Sequence, residues 1–107
     1  AVQIEGQEDL VAGCNVENAS FGATICAERA AILQAVSRFG RVKPLFVVVV
    51  TGEEQATVPC AQCLQVLAEF CSDDTKIYLG NEEGVQKLYA LKELLPYPFR
   101  NFSRDNP

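Results

Sequence analysis

The chain has 107 residues and a mass of 11.7 kDa, the size of one domain. Hydrophobic residues make up 49% and charged residues 21%, which excludes a disordered polar tail. Nine Lys and Arg against 14 Asp and Glu give a net charge of −5, a poor basis for gripping nucleic-acid phosphates.

In chain order, Ala1–Gly6 alternates apolar and polar residues and predicts a strand. Leu10–Val16 predicts a second strand, paired with the first as a hairpin. Residues 17–24, with Asn18, Ser20 and Gly22, form an irregular loop. From Ile25 to Phe39 the apolar spacing is helical, with Thr24 as N-cap and Gly40 as the stop. The β-branched run Pro44–Val50 predicts a strand covered on both faces. Thr51–Pro59 is a polar loop, and Pro59 suits the first turn of a helix running to Cys71. Lys76–Gly80 and Val85–Leu91 predict two further strands about the turn Asn81–Gly84. The order ββαβαββ predicts an α/β layer architecture on a mixed sheet, with 1–107 as one domain.

Histidine is absent, which excludes a Ser-His-Asp triad, a Cys-His pair and a histidine-ligated metal. Cysteine, by contrast, occurs five times. The N-terminal residues lack a signal-peptide pattern, and Pro44–Val50 is too short an apolar run to span a membrane. A reducing, cytoplasmic setting is therefore expected, where clustered cysteines suggest metal or redox chemistry. Cys60 and Cys63 share one face of the second helix, and Cys26 opens the first. Helix N-termini favour anions, so thiols placed there are readily thiolates. Three soft sulfur ligands suit zinc and leave a fourth position open, as in catalytic sites. Water on zinc is acidified toward neutrality, and Glu28, two residues past Cys26, stands where a general base is needed. Arg29 reads either as a solvated helix charge or as a donor to a ligand sulfur. Cys60-x-x-Cys63 taken alone would also suit a redox dithiol or half of a structural zinc site. Cys14 and Cys71 read as small hydrophobes without a role.

Cys26-Ala27-Glu28 followed by Pro59-Cys60-x-x-Cys63 resembles the three-cysteine form of the zinc deaminase signature. Gly13–Gly22, Gln65–Phe70 and Leu94–Phe99 resemble further motifs of the cytidine deaminase family. The resemblance implies Cys26, Cys60 and Cys63 as ligands of one Zn²⁺ per subunit and Glu28 as the proton shuttle. It implies that Asn15 and Glu17 hold the ribose 3′-hydroxyl, and that the Ala27 N–H meets the pyrimidine 2-carbonyl. It also implies that Arg29 and Gln65 hydrogen-bond zinc-bound sulfur, and that Phe99 reaches the base in a neighbouring subunit's site. The implied fold is a five-stranded mixed sheet with helices on both faces, assembled as a homotetramer. The family's first helix and the start of its first strand, including a pocket-lining Phe, would precede Ala1. The family's usual Pro-Cys-Gly-x-Cys-Arg-Gln reads Pro59-Cys60-Ala61-Gln62-Cys63-Leu64-Gln65 here, and Phe21 stands where Tyr is common.

The implied activity is hydrolytic deamination of cytidine and 2′-deoxycytidine to the uridine counterparts, in pyrimidine salvage. Its partners are then a nucleoside, water and further copies of the chain, with no nucleic acid and no membrane. Two other readings stand beside it. One is a related deaminase of another substrate, of the blasticidin type; a polynucleotide substrate fits the charge poorly. The other is a zinc-stabilised nucleoside-binding subunit without turnover.

Overall fold

The computed structural model describes residues 1–100. Its elements are β1 (Val2–Ile4), α1 (Ala27–Phe39), β2 (Pro44–Val50), α2 (Ala61–Phe70), β3 (Lys76–Asn81), β4 (Gly84–Ala90) and the short α3 (Leu91–Leu94). A 3-10 turn at Phe21–Ala23 lies between β1 and α1. The sheet is mixed, in the order β1-β2-β3-β4. β1 is antiparallel to β2, β3 is parallel to β2, and β4 is antiparallel to β3.

Each pairing follows from its connection. β2 and β3 are joined through α2, the kind of crossover a parallel pair requires. β3 and β4 are joined by a tight turn, which gives a hairpin. In that turn Asn81 Oδ1 accepts the Glu83 N–H at 2.8 Å, and Gly84 takes a φ of 126° that a side chain would resist.

The core lies between one sheet face and the two long helices. Val2, Ile4, Val47, Val49, Ile77 and Leu79 are buried against Ala31, Ile32 and Ala35 of α1 and Leu64, Leu67 and Ala68 of α2. α1 and α2 pack against each other on this face, and α3 touches both β4 and α2. Each fully buried Ile or Leu here contributes roughly 1.5–3 kcal/mol. The opposite sheet face carries Phe46, Val48 and Tyr78, half-buried, and Val50, Val85 and Leu88, exposed. Phe46 and Tyr78 meet there edge to face, with centroids 5.8 Å apart.

This is the expected α/β fold with a mixed sheet, and it differs in two details. Among the described residues the sheet has four strands rather than five, and the helices lie on one face rather than both. The strand expected at Leu10–Val16 is reduced to two isolated bridges, Val2 to Val11 and Val16 to Ile25. The reason is Gly13. A Cβ on it would sit 2.5 Å from both the Ala27 carbonyl oxygen and the Ala31 nitrogen. The chain therefore leaves the sheet after Val11 to pass against the first turns of α1.

Candidate metal centre and adjoining cavity

Cys26 and Cys60 hold equivalent places in the fold. Each is the N-cap residue of its helix, with extended backbone (φ −78°, ψ 156° and φ −69°, ψ 167°). For α1 this places the start two residues later than Thr24 would. Ile25 exchanges backbone hydrogen bonds with Val16 at 2.8 and 3.0 Å, which holds the chain extended up to Cys26. Neither residue makes a side-chain capping hydrogen bond, and both thiols stand at helix N-termini. Cys63, one turn into α2, is fully buried.

The Cys26 and Cys60 sulfurs are 3.9 Å apart, and all three Sγ atoms lie within 4.8 Å of one another. Zinc–sulfur bonds of about 2.3 Å in a tetrahedron place sulfurs about 3.8 Å apart. The three thiols therefore fit one Zn²⁺, which also matches their softness.

The electrostatics divide the thiols. Burial is the largest influence on Cys60 and pushes its thiol up. Hydrogen bonding from Cys63, Cys26 and the Gln62 backbone together outweighs burial and leaves it below the ordinary value. The Cys63 thiol is pushed far up, first by burial and then by its hydrogen bond to the Glu28 carboxylate. Glu28 shares the wall of one cavity with Cys26 and Cys60, which places it beside the sulfur cluster. Arg29 adjoins the cluster as well. Its Nη2 donates to the Thr24 carbonyl at 3.0 Å and lies 3.8 Å from Cys26 Sγ. Contact with Cys26, then Cys63, raises the guanidinium above its ordinary value. Its Nε is buried with no hydrogen-bond partner among the described residues.

A cavity of about 530 Å³ opens beside these groups. Its walls are Gly13–Asn15, Cys26–Glu28, the C-terminal end of β2 with Thr51 and Gly52, and Thr57–Cys60. Open α/β sheets place ligands at the carboxyl ends of their strands, and this cavity lies there. Asn15 reaches the start of α1, where its Oδ1 accepts the Ala27 N–H at 2.7 Å.

Cys26, Cys60, Cys63, Glu28, Ala27, Asn15 and Arg29 are thus brought together. Glu17 is exposed and is not among the residues lining the cavity. Gln65 is found elsewhere than on a sulfur: its amide donates to the Phe99 carbonyl at 2.6 Å and accepts the Phe99 N–H at 3.2 Å. Phe99 is 63% exposed and is not among the residues lining the cavity. Sequence reasoning passed over the wall formed by Thr51, Gly52, Thr57 and Val58. The signal available was their place, a polar loop leaving a buried strand for the helix that opens with Pro59-Cys60.

Fold and site together define an α/β protein with a three-thiolate metal centre and an adjacent carboxylate. Residues 1–80 match the family described as cytidine and deoxycytidylate deaminase zinc-binding region. A cytidine deaminase of Halalkalibacterium halodurans is 44% identical over 90 residues, covering 84% of this chain and 67% of that protein. One from Sporosarcina psychrophila is 43% identical, covering 81% and 63%, and one from Mycoplasma pneumoniae is 33% identical, covering 86% and 70%. Among solved structures, cytidine deaminase from Burkholderia pseudomallei superposes with a TM-score of 0.74 at 35% identity, covering 81% of this chain and 69% of that one. A mutant cytidine deaminase from Mycobacterium tuberculosis gives 0.73 at 30% identity, covering 92% and 75%. The chain belongs to the cytidine and deoxycytidylate deaminase zinc-binding family, and it spans about two thirds of the length of these curated relatives.

Proposed function

We propose that the protein is a zinc-dependent hydrolase that deaminates cytidine and 2′-deoxycytidine, releasing ammonia. The observation that carries this is the cluster of Cys26, Cys60 and Cys63 beside a cavity whose wall includes Cys26, Cys60 and Glu28. Cys26, Cys60 and Cys63 would hold the metal. When bound, zinc supplies a Lewis acid that brings the acidity of water into the neutral range. Glu28 takes a proton from the attacking water and delivers it to pyrimidine N3, which makes C4 electrophilic. It then carries the second proton to the C4 amino group, so that ammonia leaves and the 4-carbonyl forms. Three thiolates around a divalent ion leave a net charge of −1, and Arg29 against Cys26 offsets it. Asn15 lies in the cavity wall, which supports nucleoside recognition there.

Finer features complete this reading. A homotetramer would let the exposed Phe99 ring reach the base in a neighbouring site. Five free cysteines suit the reducing cytoplasm, and the reaction suits pyrimidine salvage. Among the described residues, no helix is long and apolar enough to cross a membrane.

The test is zinc quantitation together with ultraviolet detection of cytidine loss. Wild type should hold about one zinc per protomer and turn cytidine over. Glu28→Gln should keep the zinc and lose roughly 10²–10⁴-fold in kcat, the usual range for a proton-transfer group. Wild-type protein with full zinc and no turnover would favour a binding subunit, and an undiminished Glu28→Gln rate would remove the assigned proton shuttle.

A further inference from the structure

Ala27 is the first residue of α1, and its N–H has no partner within the helix. It is nonetheless bonded, by Asn15 Oδ1 at 2.7 Å, from a segment twelve residues earlier in the chain. An N–H can only donate, so the amide oxygen of Asn15 must face it, and the remaining group of that amide is Nδ2. Cys26 and Glu28 flank Ala27. The same bond therefore ties the 13–15 segment to the backbone unit that carries one metal ligand and the carboxylate.

We infer that Asn15 is a positioning residue: its Oδ1 anchors the N-terminus of α1, fixing Cys26 and Glu28, while only its Nδ2 is offered to the nucleoside. The inference deepens the proposed deaminase reading and changes what Asn15 and Ala27 contribute to it. The Ala27 N–H is engaged by the protein itself in the substrate-free site. The Asn15 amide faces substrate as a donor, so it recognises an acceptor atom. Packing supports the anchor, because α1 approaches Gly13 too closely for a Cβ and so sits directly against the segment that bears Asn15.

Two substitutions separate the two halves of the amide. Asn15→Ala removes both acceptor and donor. Asn15→Asp keeps an oxygen for the Ala27 N–H, and its charge is favourable at a helix N-terminus. On cytidine, Asn15→Ala should lose roughly 10–100-fold in kcat, since small misplacements of reacting groups are costly. Asn15→Asp should recover most of that kcat while its KM stays about tenfold raised, from the lost donor to substrate. A rise in KM alone in both variants, with kcat unchanged, would reduce Asn15 to a substrate contact and overturn the inference.

Hydrogen exchange of the Ala27 amide in the zinc-loaded, substrate-free protein gives a readout independent of turnover. The anchor predicts slow exchange in wild type and Asn15→Asp, and exchange at least about fivefold faster in Asn15→Ala, the worth of one hydrogen bond. Equal Ala27 exchange in all three proteins would refute the anchor. Should Asn15→Ala fail to fold, Asn15→Ser, whose shorter side chain cannot span the same gap, takes its place under the same criteria. Should wild type not deaminate cytidine at all, the proposed activity falls, while the exchange measurement still decides the anchor.

Discussion

Cys71 shows how far environment separates chemically identical side chains. It follows α2, is 8% exposed, and belongs to the hydrophobic core rather than to the sulfur cluster. Burial pushes its thiol up to about 11, against smaller lowering effects of Thr75 and Arg100. A folded value above the ordinary 9.0 means that folding favours the protonated thiol. The contribution is therefore complete below pH 9 and is lost as pH rises through about 11, a change of roughly 2–3 kcal/mol. Thermal unfolding followed from pH 8.5 to 11 should show wild type losing more stability than Cys71→Ala over that window. Parallel slopes for the two proteins would contradict the assignment. The division of cysteines into three cluster members and two others was readable from spacing, because i, i+3 on a helix and a helix-opening position are local facts. The locations of Gln65 and Phe99 were not, because their pairing depends on where the 96–100 segment returns across α2.

At the scale of elements, the site depends on two helix starts being held at one height over the sheet, and Gly13 is where that height is set for α1. A methyl group there would lie 2.5 Å from two backbone atoms, Ala27 O and Ala31 N, neither of which can swing aside as a side-chain tip can. Gly13→Ala should therefore displace α1 as a unit. Overpacking of this kind costs about 1–3 kcal/mol, so a melting temperature lower by several degrees is expected. The zinc affinity should fall with it, because Cys26 moves while Cys60 and Cys63 stay on α2. Unchanged melting and zinc affinity would show that the 13–15 segment yields instead. The same close approach explains which elements were legible. α1, α2, β2, β3 and β4 were readable because periodicity, β-branched runs and turn residues are encoded within each segment. Leu10–Val16 has the composition of a strand, but contact with a helix that follows it in sequence takes it out of the sheet, and no window of that segment records this. The exchange between Val16 and Ile25 likewise moves the start of α1 past Thr24, a long-range pairing overriding a local capping preference.

Across the whole molecule, the two sheet faces are unequal. One is sealed by α1 and α2. The other presents Phe46, Val48, Val50, Tyr78, Val85 and Leu88 with no helix over it among the described residues. Phe21 at 89%, Tyr97 at 93% and Phe99 at 63% exposure add large rings elsewhere on the surface. Scattered apolar residues are ordinary on a surface, whereas a contiguous strip along three strands marks an interaction surface. A symmetric assembly of identical chains covers such strips at no cost in solubility, and the proposed homotetramer requires that some of them be covered. Sedimentation equilibrium of the zinc-loaded protein should therefore give about four times the 11.7 kDa protomer mass. Lys placed at Leu88 and at Val85, both already about half exposed, should leave the protomer folded, since neither side chain contributes to the buried core. The desolvation of two charges in a contact would weaken association there. A shift of the double variant toward lower mass, with the zinc content held, would locate a contact on this face. A wild-type protein that sediments as a single protomer at micromolar concentration would remove the tetramer from the proposal and with it the route by which Phe99 reaches a neighbouring site.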